Sequence, residues 1–102
     1  MELMELFADN TIKAKAKATK LGVALQSGDL AIGDLIDFAQ DKTGKDKATC
    51  IEGIEYATKN GSRLTNDRLL DFLTDALQDD EPRVKWESAH DRQRCQLLHE
   101  LS

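Results

Sequence analysis

The chain has 102 residues, of which 32% are charged and five are aromatic (three Phe, one Tyr and one Trp), and it carries a single proline. This composition favours one helical domain, and the formal net charge of −5 argues against general nucleic-acid binding, because phosphate contact needs clustered positive charge. The sequence contains no run of about 20 apolar residues, so no membrane span is predicted. The first residues lack the basic start and the long apolar stretch of a secretion signal. We therefore expect a cytoplasmic protein.

The first two helices are predicted from a short apolar run and from helical spacing. Residues 4–7 form the first helix, which ends within residues 8–10, and Asn10 or Thr11 is predicted to cap the second. In the second helix, apolar residues at i, i+4, i+7 and i+11 predict one buried stripe. That stripe consists of Ala14, Ala18, Leu21 and Leu25. Gly28 is the predicted left-handed residue that closes the helix.

Three further helices follow from the same spacing. The third carries the apolar residues Leu30, Ile32, Leu35, Ile36, Phe38 and Ala39. Residues 41–46 predict a polar turn. The fourth helix carries Ala48, Ile51, Ile54, Ala57 and Thr58, with Cys50 as a small buried hydrophobe. Residues 60–62 end it, Thr65 or Asn66 is predicted to cap the fifth helix, and the fifth carries Leu69, Leu70, Phe72, Leu73, Ala76 and Leu77.

A sixth helix is predicted to begin at Pro82. The acidic turn at residues 79–81 precedes it, and negative charge is favourable ahead of a helix whose first residue is proline. Val84, Trp86 and Ala89 begin its apolar pattern. We therefore predict an all-α fold of six helices in three antiparallel pairs.

Residues 35–41 return as residues 69–75, with four of the seven positions identical. A weaker echo at a shift of 33 relates Leu21, Ala24 and Gly28 to Ile54, Ala57 and Gly61. Self-similarity at a period of about 20–50 residues indicates a solenoid of stacked units. We predict a single domain over residues 1–102, with repeats at approximately 1–28, 29–61 and 65–102.

Residues 73–89 resemble one repeat of the HEAT family, the armadillo-like α-solenoids. The positions that the HEAT pattern specifies are occupied in this chain by Leu77, Asp79, Asp80, Pro82, Val84, Lys85 and Ala89. The resemblance covers residues 30–90 well and 1–29 loosely. It implies a right-handed α-α superhelix of about three HEAT-like helical hairpins, and it implies a non-enzymatic protein-protein interaction scaffold whose concave face holds a protein or peptide.

The resemblance also implies which residues meet that partner, because the second helix of each HEAT pair lines the concave face. The candidate contacts are Lys13, Lys17, Lys20, Glu52, Glu55 and Lys59. Trp86 is a further candidate for exposed stacking, although the family pattern places its position half-buried.

The family pattern fails after Ala89, because residues 90–94 offer nothing apolar to bury. Three explanations stay open: a polar helix that caps the solenoid, pairing with another chain through the C-terminal end as in a homodimer, or a tail out of frame with a longer ancestral protein. The third explanation leads to an alternative interpretation of the function. In that interpretation the chain is a truncated or frameshifted fragment of a longer HEAT-repeat enzyme, either DNA glycosylase-like or phycobilin lyase-like. Such a fragment is expected to expose an apolar end around Trp86 and Leu97.

No residue pattern in the sequence indicates a catalytic site, a metal site or a site for another cofactor. Cys95 and His99 are spaced as two ligands on one helical face, but only His90 could supply a third, which is too few for a structural zinc site. The acidic turn lacks the alternating ligands and central glycine of a calcium loop. A glycosylase would need phosphate anchoring that this acidic chain does not offer. We therefore expect no enzymatic activity.

Overall fold

The computed structural model describes residues 2–42, 44–60, 67–79 and 82–101, with side chains described up to residue 93. Within these residues the chain is all-α and contains six helices and no strand. The helices are α1 (Leu3–Ala8), α2 (Ala14–Ser27), α3 (Ile32–Gln40), α4 (Gly44–Lys59), α5 (Asp67–Ala76) and α6 (Pro82–Leu101). The predicted fold class and the predicted number of helices are confirmed for the described part of the chain.

The end of α2 and the start of α6 agree with their predicted boundaries. Gly28 follows α2 with φ of +88°, a left-handed conformation that costs a residue with a Cβ roughly 1–2 kcal/mol. The Leu30 amide then donates back to the Ala24 carbonyl at 3.2 Å, which satisfies one of the free carbonyls of the last turn. Pro82 is the first residue of α6, where its missing amide hydrogen costs no helical bond.

The predicted cap of α2 is wrong. The helix begins at Ala14, after Lys13, and no side chain caps it. Thr11 instead donates its amide and hydroxyl hydrogens to the Asp9 carboxylate, at 2.9 and 2.5 Å. The short polar residues of this segment therefore form a side-chain-bonded turn before the helix.

One predicted turn is shorter than expected, and other predicted boundaries lie outside the described residues. α4 already begins at Gly44, so the polar turn predicted at residues 41–46 is shorter than expected. The predicted break at Gly61 and Ser62 and the predicted caps Thr65 and Asn66 lie outside the described residues. So do Asp80 and Glu81 of the acidic turn.

Most of the apolar residues that the helical spacing predicted form the core, whereas Met4, Ala14, Trp86 and Ala89 are exposed. Leu35 and Leu69, which occupy equivalent places in the sequence repeat, are both fully buried, and Phe38 and Leu70 pack against the core from its edge. Ala14 is exposed, so the buried stripe of α2 begins one turn later, at Ala18. The leucines that recur at a shift of 34 therefore occupy buried positions of the core.

The helices α2, α4 and α6 lie side by side and run in the same direction. Gln26 near the end of α2 donates to the carbonyl of Asn60 after α4, 34 residues on. Arg83 and Asp91 of α6 bond Glu52 and Thr58 of α4, across 31 and 33 residues. Contacts at a nearly constant sequence offset mean that each of these helices packs on its counterpart about one repeat away.

Glycines allow α2 and α4 to approach closely. A Cβ added to Gly22 would overlap the Tyr56 ring, and one added to Gly53 would lie 2.7 Å from Leu21 Cβ and 3.2 Å from the Ala18 carbonyl oxygen. Both distances are shorter than ordinary van der Waals contact. Glycine at these two places is therefore a packing requirement of the α2–α4 interface.

The interface between α4 and α6 is largely polar. Val84 is buried, but the next buried side chains described on α6 are Glu87, Ser88 and Asp91. The Thr58 hydroxyl lies 3.2 Å from an Asp91 carboxylate oxygen and 2.9 Å from the Glu55 carbonyl. The expectation that residues 90–94 offer nothing to bury thus needs correction, because α6 continues through them and buries a carboxylate instead of an apolar side chain.

Candidate binding groove

An open groove of about 260 Å³ lies on the face formed by α2, α4 and α6. Its lining residues are Lys15, Ala18, Thr19, Glu52, Glu55, Tyr56, Lys59, Trp86 and Glu87. The close α2–α4 approach and the polar α4–α6 contact set the spacing of its walls. The groove is therefore built by the same parallel packing that repeats along the chain.

Two buried carboxyl groups form the floor of the groove. Glu55 and Glu87 are each only 8% exposed, and their side chains are hydrogen-bonded to each other. Burial raises the pKa of Glu87 to about 8, and the hydrogen bond to Glu55 and the negative charges of Glu55 and Glu52 act in the same direction, while Arg83 opposes them. Burial and the neighbouring carboxylates therefore favour the protonated form of Glu87 at neutral pH.

The charged partners of these carboxylates are more exposed than the carboxylates themselves. Lys59 lies 3.0 Å from Glu55, one helical turn away, and its side chain is 57% exposed. Arg83 lies 2.6 Å from Glu52 and ties the start of α6 to α4. A partly exposed ion pair of this kind contributes about 1 kcal/mol or less, so its main effect is to orient the groove carboxylates.

Aromatic side chains form part of the groove walls. Trp86 is 59% exposed, and its ring lies 4.1 Å from the His90 ring, one turn further along α6. Tyr56 packs against Gly22 of α2 and is half-buried. The exposed Trp86 ring agrees with its interpretation as a candidate for exposed stacking, and it departs from the family pattern, which places this position half-buried.

The structure brings together four of the seven predicted contact residues: Glu52, Glu55, Lys59 and Trp86 all line the groove. The three predicted lysines of α2 do not. Lys17 donates to the Phe7 carbonyl at 3.1 Å and lies over the Phe7 ring, so it joins α2 to α1.

Lys13, just before α2, and Lys20, on α2, are exposed and lie outside the groove lining. Sequence reasoning missed Lys15 and Glu87, which do line it. Glu87 follows Glu55 by about one repeat length, a signal that could have identified it.

Other candidate chemistry lies away from the groove. Burial raises the pKa of the Cys50 thiol to about 12, and nearby Asp46 adds to the effect, so the core-hydrophobe prediction for this residue is confirmed. No group of His, Cys, Asp or Glu within the described residues is arranged to hold a metal ion. The side chains of Cys95, Leu97 and His99, which entered the metal and exposed-end predictions, lie outside the described ones.

Comparison with known proteins adds no family assignment. No protein-family model, curated protein or solved structure matches this chain. Within the part of the chain that the structure describes, no helix combines the length and the apolar character needed to cross a membrane.

Proposed function

We propose that this chain is a HEAT-like helical repeat module, a non-enzymatic protein-protein interaction scaffold that binds a protein or peptide on the face formed by α2, α4 and α6. The observation that carries the proposal is the groove on that face, where the exposed Trp86 stands beside two buried carboxyl groups. A large exposed aromatic ring next to fixed charges is a common kind of interface anchor. The size of the groove suits a few side chains of a partner.

The repeat geometry supports the same function. Contacts that recur at offsets of 31 to 34 residues align α2, α4 and α6 in one layer. In repeat proteins such a layer forms an extended surface that serves binding, while each unit contacts only its neighbours. Leu35 and Leu69, which occupy equivalent places in the sequence repeat, are buried and thus stabilise the core and leave the groove free for a partner.

Site-specific photocrosslinking in native cell extract tests the proposal. Photoreactive benzoylphenylalanine replaces Thr19, an exposed residue of the groove lining, or, as a matched control, Asp71 on the exposed side of α5. We expect a discrete protein adduct from the groove position that is absent from the control. Identical adducts from both positions, or none from the groove, would contradict a binding face at α2, α4 and α6.

A further inference from the structure

Two buried carboxyl groups meet at the floor of the groove. Glu55 and Glu87 are buried, fixed by α4 and α6, and hydrogen-bonded to each other. A shared proton forms when two carboxylates are too close for both to ionise without a cation between them. The proton therefore occupies a place that a larger cation could take.

Every element around this pair contributes charged or titratable groups. They are Lys15 from α2, Glu52 and Lys59 from α4, and Arg83, His90 and Asp91 from α6. The two groove lysines are largely exposed on flexible stems, so their ammonium groups can turn into solvent at little cost. The carboxyl groups cannot move away in this manner. The fixed charge at the floor is therefore negative, and it complements a cation.

The wall beside the pair suits a flat cation. Trp86 is on the same helix as Glu87, and more than half of its surface is exposed. Tryptophan is the best of the aromatic side chains for holding a cation over its ring. A guanidinium group stacks its flat face on an aromatic ring and also bonds a carboxylate through two parallel N–H donors. An ammonium group can lie over a ring as a point charge, but it does not form the two parallel bonds.

The volume of the groove limits the size of the occupant. At about 260 Å³ it is smaller than the roughly 300–1,000 Å³ pockets that hold drug-sized ligands and cofactors. One long side chain fits this space better than a folded element or a nucleotide does. The overall charge of −5 also attracts a basic segment and repels an acidic one.

We propose that the groove binds one arginine side chain of a partner polypeptide, with the guanidinium group against the Glu55–Glu87 carboxyl pair and its flat face on the Trp86 ring. This proposal rests on the proposed function, since it names the chemistry of the partner at the same groove.

Binding of a guanidinium group displaces the shared proton. The bound form needs both carboxyl groups ionised, whereas the free form holds the proton because burial raises the pKa of Glu87 to about 8. Arginine binding therefore releases up to one proton and becomes tighter as the pH rises, approaching about tenfold per pH unit below pH 8. An anion bound by Lys15 and Lys59 would release no proton, and its affinity would fall with rising pH.

The test uses the complete chain and short glycine–serine peptides that differ at one central position. The centre is arginine, lysine, citrulline or glutamate, and binding is followed through the emission of Trp86, the sole tryptophan. We expect the arginine peptide to bind more than about tenfold more tightly than the neutral citrulline peptide, because citrulline loses the charge-assisted bonds. Calorimetry in two buffers of different ionisation enthalpy is expected to show proton release.

The matched variants are Glu87→Gln and Asp71→Asn. Glu87→Gln keeps the shape of the floor and is expected to weaken arginine binding about tenfold or more and to remove most of its pH dependence. Asp71→Asn, on the exposed face of α5, is expected to bind like the original chain.

Three results would overturn the arginine proposal. The first is equal binding of the arginine and citrulline peptides, and the second is no saturable change in Trp86 emission up to millimolar arginine peptide. The third is preference for the glutamate peptide, with affinity falling as pH rises. Each of these failures leaves the wider proposal standing if the groove position still crosslinks a protein partner. Loss of that site-specific crosslink would remove the proposed function itself.

Discussion

Replacement of Glu87 by glutamine is expected to stabilise the fold at alkaline pH. In the native chain the carboxyl group of Glu87 is buried beside Glu55, and its pKa is raised from 4.5 to about 8. Between these two values the folded chain binds more protons than the unfolded chain, so the stability that this proton supplies is complete below pH 4.5 and is lost as the pH rises through 8. Glutamine stays neutral and can still donate an amide hydrogen to Glu55, so it keeps the contact without the titration.

The magnitude follows from the displacement of the pKa. Each pKa unit corresponds to about 1.4 kcal/mol, so complete titration of Glu87 would remove roughly 4–5 kcal/mol. Water can enter the open groove when the carboxylate forms, and about half of that value is the expected effect. A loss of about 2–3 kcal/mol is large for a domain whose total stability is of the order of 5–15 kcal/mol.

Urea unfolding followed by far-UV circular dichroism, at several pH values between about 5.5 and 9, measures this effect. The free energy of unfolding of the original chain is expected to fall across this range, and that of Glu87→Gln is expected to fall by about 1.5–2 kcal/mol less. Asp71→Asn, which alters an exposed carboxyl group on α5, is expected to keep the original slope. Equal slopes for the original chain and Glu87→Gln would refute the shared-proton account of the groove floor.

Three further predictions concern the core, and each has a direct measurement. Gly53→Ala is expected to destabilise the fold by about 1–3 kcal/mol in urea unfolding, because its Cβ meets Leu21 and backbone of α2. Gly33→Ala, where the new Cβ meets only the end of an arginine side chain, is expected to be neutral or to stabilise by about 0.5–1 kcal/mol; the opposite order would disprove the tight α2–α4 contact. Leu69→Ala is expected to cost about 2–5 kcal/mol in the same assay, since the side chain is fully buried, and a cost under about 1 kcal/mol would remove Leu69 from the core. Cys50 is expected to resist iodoacetamide at pH 8 in the folded chain and to react in urea, because burial raises its pKa to about 12; mass mapping of the alkylated site decides this, and rapid native alkylation would be inconsistent with a buried thiol.

The sequence predicts most of the fold because its apolar positions follow one simple period. Leu35 and Leu69 recur at equivalent places, and both prove to be buried. Local chemistry also predicts the ends at Gly28 and Pro82, since each depends on the backbone properties of a single residue. The cap of α2 was wrong because Thr11 has a nearer partner in Asp9, a competition between side chains that residue preference alone does not resolve.

The groove is only partly predictable. The resemblance to HEAT repeats implies Glu52, Glu55 and Lys59 as contacts, and these residues line the groove. Glu87 was missed because a glutamate in a charged helix looks like a solvent-exposed residue, and only the packing of α6 on α4 buries it. Trp86 is exposed for the same reason, since polar side chains occupy the interface that an apolar pattern would have assigned to it.

We propose that the chain binds its partner in the groove between α2, α4 and α6. Chemical-shift mapping of the isotope-labelled chain, titrated with the protein segment captured from the groove position, locates the surface that the partner occupies. We expect the largest changes at Lys15, Tyr56 and the Trp86 indole, with little change at Asp37 and Asp71 on α3 and α5. Changes concentrated on α3 and α5, with the groove signals unmoved, would contradict this proposal.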